Sequence, residues 1–140
     1  MEAIIEKYKK SGVKLTPQRL AIIKFLEGNT SHPTADDIFK SIKKDYPTIS
    51  FATVYNTLEM LKTNNGLVEV TINPERKHYD PNVETHHHAI CKSCGLIVDI
   101  FTDFSKALGV VEDEVSGFVF SGNHINFYGR CGDCTSERDS

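Results

Sequence analysis

Apolar residues recur at helical spacing through the first 65 positions and at strand spacing beyond them. Ile4, Ile5 and Tyr8 share one side of a first helix, Glu2 to Lys10, which Ser11-Gly12 ends. Thr16 before Pro17 reads as an N-cap followed by proline in the first turn; Leu20 and Ile23, with Ile22, Phe25 and Leu26, form the inward face of a second helix that stops near Gly28. A third helix follows Thr34 and runs to about Lys44. Asp36 and Asp37 sit in its first turn and Lys43 and Lys44 in its last, as the helix dipole favours. Pro47 breaks the chain, Ser50 caps a fourth helix with Val54, Leu58 and Leu61 inward, and Asn65-Gly66 stops it.

Two short extended segments, Leu67 to Ile72 and Lys77 to Tyr79, flank Asn73-Pro74 and form a hairpin. Three or more helices followed by a hairpin is the order of a winged helix-turn-helix, expected over residues 1–80. After Pro81 the pattern turns to β: His86 to Ile90, Leu96 to Phe101 and Phe118 to Tyr128 read as extended, around one helix from Asp103 to about Val115. Residues 84–140 therefore form a second, small α/β domain, and Thr135 to Ser140 read as a frayed polar tail. The fold class is α+β.

Charge sharpens this division. Residues 1–80 carry twelve Lys and Arg against ten Asp and Glu, whereas residues 81–140 carry four against nine, which suggests separate roles for the halves. No apolar run has the length of a signal peptide core or approaches the roughly 20 residues of a membrane span, so a cytoplasmic location without membrane contact is expected. In that reducing compartment four cysteines point to metal or redox chemistry rather than disulfides.

Their spacing chooses between those. Cys91-Lys-Ser-Cys94 and Cys131-Gly-Asp-Cys134 are paired C-x-x-C motifs, the first followed by Gly95. Two residues between thiolates let both reach one ion from a tight turn, and two such turns complete a closed tetrahedral zinc site. A thioredoxin-like redox motif needs one C-x-x-C in a βαβ setting, which this order of elements does not supply. His86-His87-His88 precedes Cys91; along a strand His86 and His88 share a face and His87 takes the other. With carboxylates such as Asp80 and Asp99 they make a mixed nitrogen and oxygen set suited to Mn²⁺ or Fe²⁺. His32, His78, His87 and His124 have no spacing that distinguishes a ligand from a solvated side chain. On the fourth helix, Ser50, Thr53, Tyr55 and Asn56 face outward in place of the usual Glu and Lys, and such side chains suit base edges in a major groove. A zinc hydrolase or deaminase is the competing class, but neither H-x-E nor H-E-x-x-H is present.

The strings LTPQR, HPTADDI, ATVYNTLEML, HHHAICKSCGLIVD and YGRCGDC occur in the order seen in the ferric uptake regulator superfamily, and the resemblance spans nearly the whole chain. Asp80 and Asp99, where iron-sensing relatives commonly carry Glu, make it most similar to the peroxide-responsive repressor branch. The resemblance implies structural zinc on Cys91, Cys94, Cys131 and Cys134. It implies regulatory Fe²⁺ or Mn²⁺ on His32, Asp80, His86, His88 and Asp99. Lys14, Arg19, Thr53, Tyr55 and Asn56 are implied at a double-stranded DNA operator, with the second domain forming a homodimer that reads a palindrome. It further implies a repressor rather than an enzyme, released when hydrogen peroxide and bound iron oxidise His32 or His86; the alternative within the superfamily is an iron-responsive repressor. Thr85, Lys106 and Asn123 replace His or Glu at an additional metal site of some relatives, leaving His87 and His124 unassigned.

Overall fold

The computed structural model describes residues 2–73 and 75–138, apart from a few side chains in that range. The chain divides into two compact units, Met1–Val83 and Glu84–Ser140. The first contains α1 (Glu2–Lys10), α2 (Pro17–Leu26), α3 (Ala35–Lys43), α4 (Phe51–Thr63) and the antiparallel pair β1 (Val68–Asn73) and β2 (Arg76–Asp80). The Ile4 side chain and Pro74, both used in the sequence reading, lie outside what is described.

The starts of α2, α3 and α4 are each set by a side chain in place of a missing backbone partner. The Thr16 hydroxyl accepts from the Arg19 N–H at 3.2 Å, and that of Ser50 from Thr53 at 3.1 Å. Thr34 and Asp37 form a reciprocal capping box at 3.1 and 3.0 Å. The faces these helices turn inward meet in one core of Tyr8, Ile22, Ile23, Leu26, Ile38, Ile42, Ile49, Val54, Leu58, Leu61, Leu67 and Tyr79. Leu20 and Phe25 are only partly buried, so Ile22 and Leu26 carry more of the α2 face than the spacing suggested. Lys62 ties α4 to β1 through the Glu69 carboxylate at 2.8 Å.

The end of α4 falls at Asn65-Gly66, as expected from sequence. The left-handed residue is Asn65 (φ 59). Its N–H reaches the Lys62 carbonyl at 3.1 Å, and the Gly66 N–H reaches Leu61 at 2.8 Å, the two bonds of a Schellman cap. Gly66 is required by space instead, because a Cβ there would overlap the Tyr8 hydroxyl. That hydroxyl is buried with no hydrogen-bond partner among the described residues, and burial raises its pKa above the usual tyrosine value.

The second unit holds a three-stranded sheet in the order β4-β3-β5, from β3 (His87–Cys91), β4 (Ile97–Ile100) and β5 (Asn126–Gly129). β4 pairs antiparallel with β3 after a tight turn; β5 pairs parallel with it, after a connection that contains α5 (Lys106–Glu114). Parallel pairing requires such a long crossover. Of Phe118 to Tyr128, expected to be extended throughout, only the last part joins the sheet. Phe118 and Val119 are exposed, and the Phe120 N–H is taken by the Glu112 carboxylate at 2.9 Å instead of a neighbouring strand. The expected frayed tail is also partly replaced: Gly132–Arg138 forms α6, where the Thr135 and Ser136 hydroxyls donate to the Gly132 carbonyl. The last two positions of that tail, Asp139 and Ser140, lie outside the described residues.

Among the described residues no helix is long and apolar enough to cross a membrane. The contact between α1 and the end of α4 has a direct test. Gly66→Ala is expected to lower stability by about 1–3 kcal/mol through overpacking. Tyr8→Phe, which removes the hydroxyl, should recover part of that loss in the double variant, as read by urea unfolding of all three.

Candidate metal centres and DNA-facing helix

Cysteine sulfurs from both C-x-x-C turns converge in the second unit. All four lie within 4.8 Å of one another, and Cys94 Sγ is 3.7 Å from Cys131 Sγ. A tetrahedral shell with zinc–sulfur bonds of about 2.3 Å has edges of about 3.8 Å, so the spacing fits Zn²⁺. Gly95, at φ 80, gives the first turn its left-handed step and returns its N–H to the Cys91 carbonyl at 2.9 Å. Backbone N–H groups of Cys131 and Cys94 donate to Cys91 Sγ at 3.3 and 3.5 Å and bring that thiol down to about 6, favouring the thiolate that binds metal. Hydrogen bonds from the crowded neighbours Cys131 and Cys91 push Cys134 up to about 12, so holding all four sulfurs as thiolates calls for a cation between them.

The imidazole and carboxylate groups form a set within each unit. In the first, His32 Nε2 lies 3.3 Å from Asp80 Oδ2, with both side chains only 2% exposed. His32 stands at φ 52, a left-handed conformation uncommon outside glycine, just before the Thr34 cap. The hairpin holds that loop in place. His78 Nδ1 donates to the His32 carbonyl at 2.7 Å, the Tyr79 N–H donates to the Pro33 carbonyl at 2.9 Å, and Thr34 bridges to His78. Asp80 is oriented by the Asn82 N–H, which donates to its Oδ1 at 2.9 Å and leaves Oδ2 toward His32.

In the second unit, antiparallel pairing sets Asp99 opposite His88. Asp99 Oδ1 lies 3.3 Å from Nε2 of both His86 and His88, and the two rings meet edge to face at 4.7 Å. His87 turns away, accepting the Ile125 N–H on Nδ1 at 3.0 Å and packing against Phe104. The tautomer of His86 follows from its partner. Its Nδ1 lies 2.7 Å from the Glu84 carbonyl, which can only accept, so Nδ1 carries the proton. In its neutral form His86 directs the Nε2 lone pair at a carboxylate oxygen. A cation between them turns that repulsion into coordination, and the nitrogen and oxygen donors suit Fe²⁺ or Mn²⁺. His124, which sequence reading left unassigned, also meets this group, with Nε2 3.2 Å from His88 Nδ1. Burial, and then the neighbouring His88, His87 and His86, lower its pKa below the usual histidine value.

On α4, Thr53 engages Ser50 Oγ with its hydroxyl at 2.9 Å, while Tyr55 and Asn56 are exposed. Phe51, also exposed, lines a groove with Tyr55, Arg76 and Lys77 of the hairpin. A hairpin pattern does not reveal which side chains face a neighbouring helix, so the place of Arg76 and Lys77 beside Tyr55 comes from the structure alone. Arg19 Nη1 donates to the Lys14 carbonyl at 2.6 Å, which brings two cationic residues together at the start of α2.

Removing one sulfur tests the thiolate cage. Cys94→Ser is expected to drop bound zinc by one equivalent per chain, measured by atomic emission, and to unfold the second unit first, measured by amide hydrogen exchange. A zinc contribution on the order of 10 kcal/mol exceeds what a unit with few buried apolar side chains can replace.

Residues 10–128 match the ferric uptake regulator family. The chain is 34% identical over 139 residues to the peroxide operon regulator of Bacillus subtilis, covering 99% of this chain and 96% of that protein. It resembles the peroxide stress regulator of Campylobacter jejuni with a TM-score of 0.70 at 29% identity, covering 95% and 97% of the two chains. The iron-containing ferric uptake regulator of Francisella tularensis gives a TM-score of 0.77 at 28% identity, over 89% and 96%. The match across most of the chain, on a helical unit with a hairpin and a small sheet with four converging thiols, places the protein in the ferric uptake regulator family, as a transcriptional regulator and not an enzyme.

Proposed function

We propose that the chain is a metal-dependent transcriptional repressor that senses hydrogen peroxide through iron-catalysed oxidation of histidine. The observation that carries this reading is the Asp99 arrangement, two imidazole Nε2 atoms on one carboxylate oxygen with the His86 proton fixed on its far nitrogen. The peroxide operon regulator of Bacillus subtilis, similar over nearly the full length, supports the signal.

In this reading His32 and Asp80 of the first unit and His86, His88 and Asp99 of the second hold one regulatory ion. Cys91, Cys94, Cys131 and Cys134 hold structural zinc. Residues 1–80 bind DNA and residues 84–140 dimerise. Lys14 and Arg19 meet phosphates, while Thr53, Tyr55 and Asn56 face base edges of a palindromic operator. A second copy of the chain covers apolar side chains such as Leu96, Val98 and Tyr128, which are exposed in one chain. The proposed location is the cytoplasm, where DNA is accessible and thiols stay reduced.

Fe²⁺ held by these residues would supply the redox chemistry that activates hydrogen peroxide, whose one oxygen would add to an imidazole while the other would leave as water. His32 and His86 are the imidazoles assigned to take up oxygen there. An oxidised ring no longer offers the same lone pair, so its unit is released from the other and the repressor loses its DNA-binding arrangement. His86 packs against the exposed ring of Phe101 at 5.5 Å, which limits solvent around it.

Loading the zinc-containing protein with Fe²⁺ or Mn²⁺, adding hydrogen peroxide, and recording operator binding and peptide masses tests the proposal. The iron form is expected to lose operator binding while peptides with His32 or His86 gain one oxygen; the manganese form should show neither change. An iron form that keeps its masses and its DNA would support an iron-responsive repressor instead.

A further inference from the structure

His124 precedes β5 and is held against β3 by contacts on both sides. The Ile125 carbonyl accepts the His88 N–H at 3.2 Å, and the Ile125 N–H donates to His87 Nδ1 at 3.0 Å. Residue 125 is thus fixed by two consecutive histidines, and the neighbouring His124 ring rests on His88 with centroids 5.2 Å apart. Their nitrogens, His124 Nε2 and His88 Nδ1, are 3.2 Å apart. The other nitrogen of His88, Nε2, is the one 3.3 Å from Asp99 Oδ1.

A neutral imidazole carries one proton on its two nitrogens. For His88 to offer Nε2 to a metal, that proton must sit on Nδ1, where it needs an acceptor. His88 is fully buried, so bulk water does not supply one. His124 Nε2 is in reach. Metal-bound histidines commonly donate their second N–H to such an outer partner, which fixes the tautomer and ring orientation. His86 has the equivalent partner in the Glu84 carbonyl, and the two histidines are thereby oriented by different devices.

We infer that His124 is a positioning residue for the regulatory ion: its Nε2 accepts the Nδ1 proton of His88 and leaves the His88 Nε2 lone pair directed at the metal. The inference rests on the reading of His88 as a ligand. It gives His124 a role that leaves His87 out, because His87 Nδ1 is used as an acceptor for backbone.

The test compares wild-type protein, His124→Leu, His124→Gln and His88→Ala, each with its structural zinc in place. Mn²⁺ affinity is measured by the electron paramagnetic resonance signal of free ion. His124→Leu is expected to weaken binding about 10- to 100-fold, the range for removal of an outer partner. His124→Gln, whose side-chain oxygen can accept at the Nε2 position, should recover most of it. Nitrogen-15 spectra of protein titrated with Zn²⁺ as a diamagnetic probe should place the His88 proton on Nδ1 in wild type and in His124→Gln. Unchanged affinity in His124→Leu, or a His88 proton on Nε2 in the loaded wild type, would overturn the inference. If His88→Ala itself leaves Mn²⁺ affinity unchanged, the ligand reading fails first and takes this inference with it. A loss in both His124 variants without rescue would make His124 something other than an acceptor and would also overturn it.

Discussion

One carboxylate oxygen facing two imidazole nitrogens is the constraint on which the proposed regulatory site depends. A lone pair aimed at an anion is unfavourable in a buried setting, where charges are poorly screened. The protein nevertheless builds this contact with care: a backbone carbonyl fixes His86, strand pairing sets Asp99 opposite His88, and His88 is completely enclosed. An extra proton or a metal ion relieves the repulsion, and nitrogen and oxygen donors favour first-row divalent ions. The first unit repeats the logic with buried His32 beside Asp80, held by its wing hairpin.

In the proposed repressor, zinc and assembly supply the second unit with what its own core lacks. Its buried side chains include Ile90, Ile97 and Cys91, together with three histidines, while Val98, Phe101, Val119 and Tyr128 remain exposed. So small an apolar interior gives little stability by itself. Cross-linking the β3–β4 turn to α6 by a closed thiolate shell constrains the sheet that carries Asp99 and His88, and a second chain is proposed to cover the apolar surface. The rigid zinc shell and the adaptable nitrogen and oxygen set are therefore different chemical devices in one sheet.

Most of the helical unit was legible from sequence because its boundaries rest on local chemistry. Thr16, Thr34 and Ser50 bond the backbone a few residues ahead, so spacing alone locates them. Each C-x-x-C turn was legible for the same reason, and the four ligands that a closed zinc shell needs joined the two turns. Constraints between distant residues were not. Nothing near Gly66 announces that Tyr8 occupies the space beside it, and nothing near His124 announces that its ring meets His88. Phe118 and Val119 have strand character but find no neighbouring strand, while α6 forms around the second cysteine pair despite polar composition. Alternating or apolar pattern records what a segment can pair with, not whether a partner is present.

In the proposed repressor, metal and DNA affinities are linked through one shared equilibrium. Operator affinity should be measured without and with saturating Mn²⁺, and Mn²⁺ affinity without and with saturating operator, all with structural zinc retained. Both affinities are expected to rise by the same factor, as thermodynamic reciprocity requires. Operator binding that is equally tight with and without Mn²⁺ would contradict this linkage.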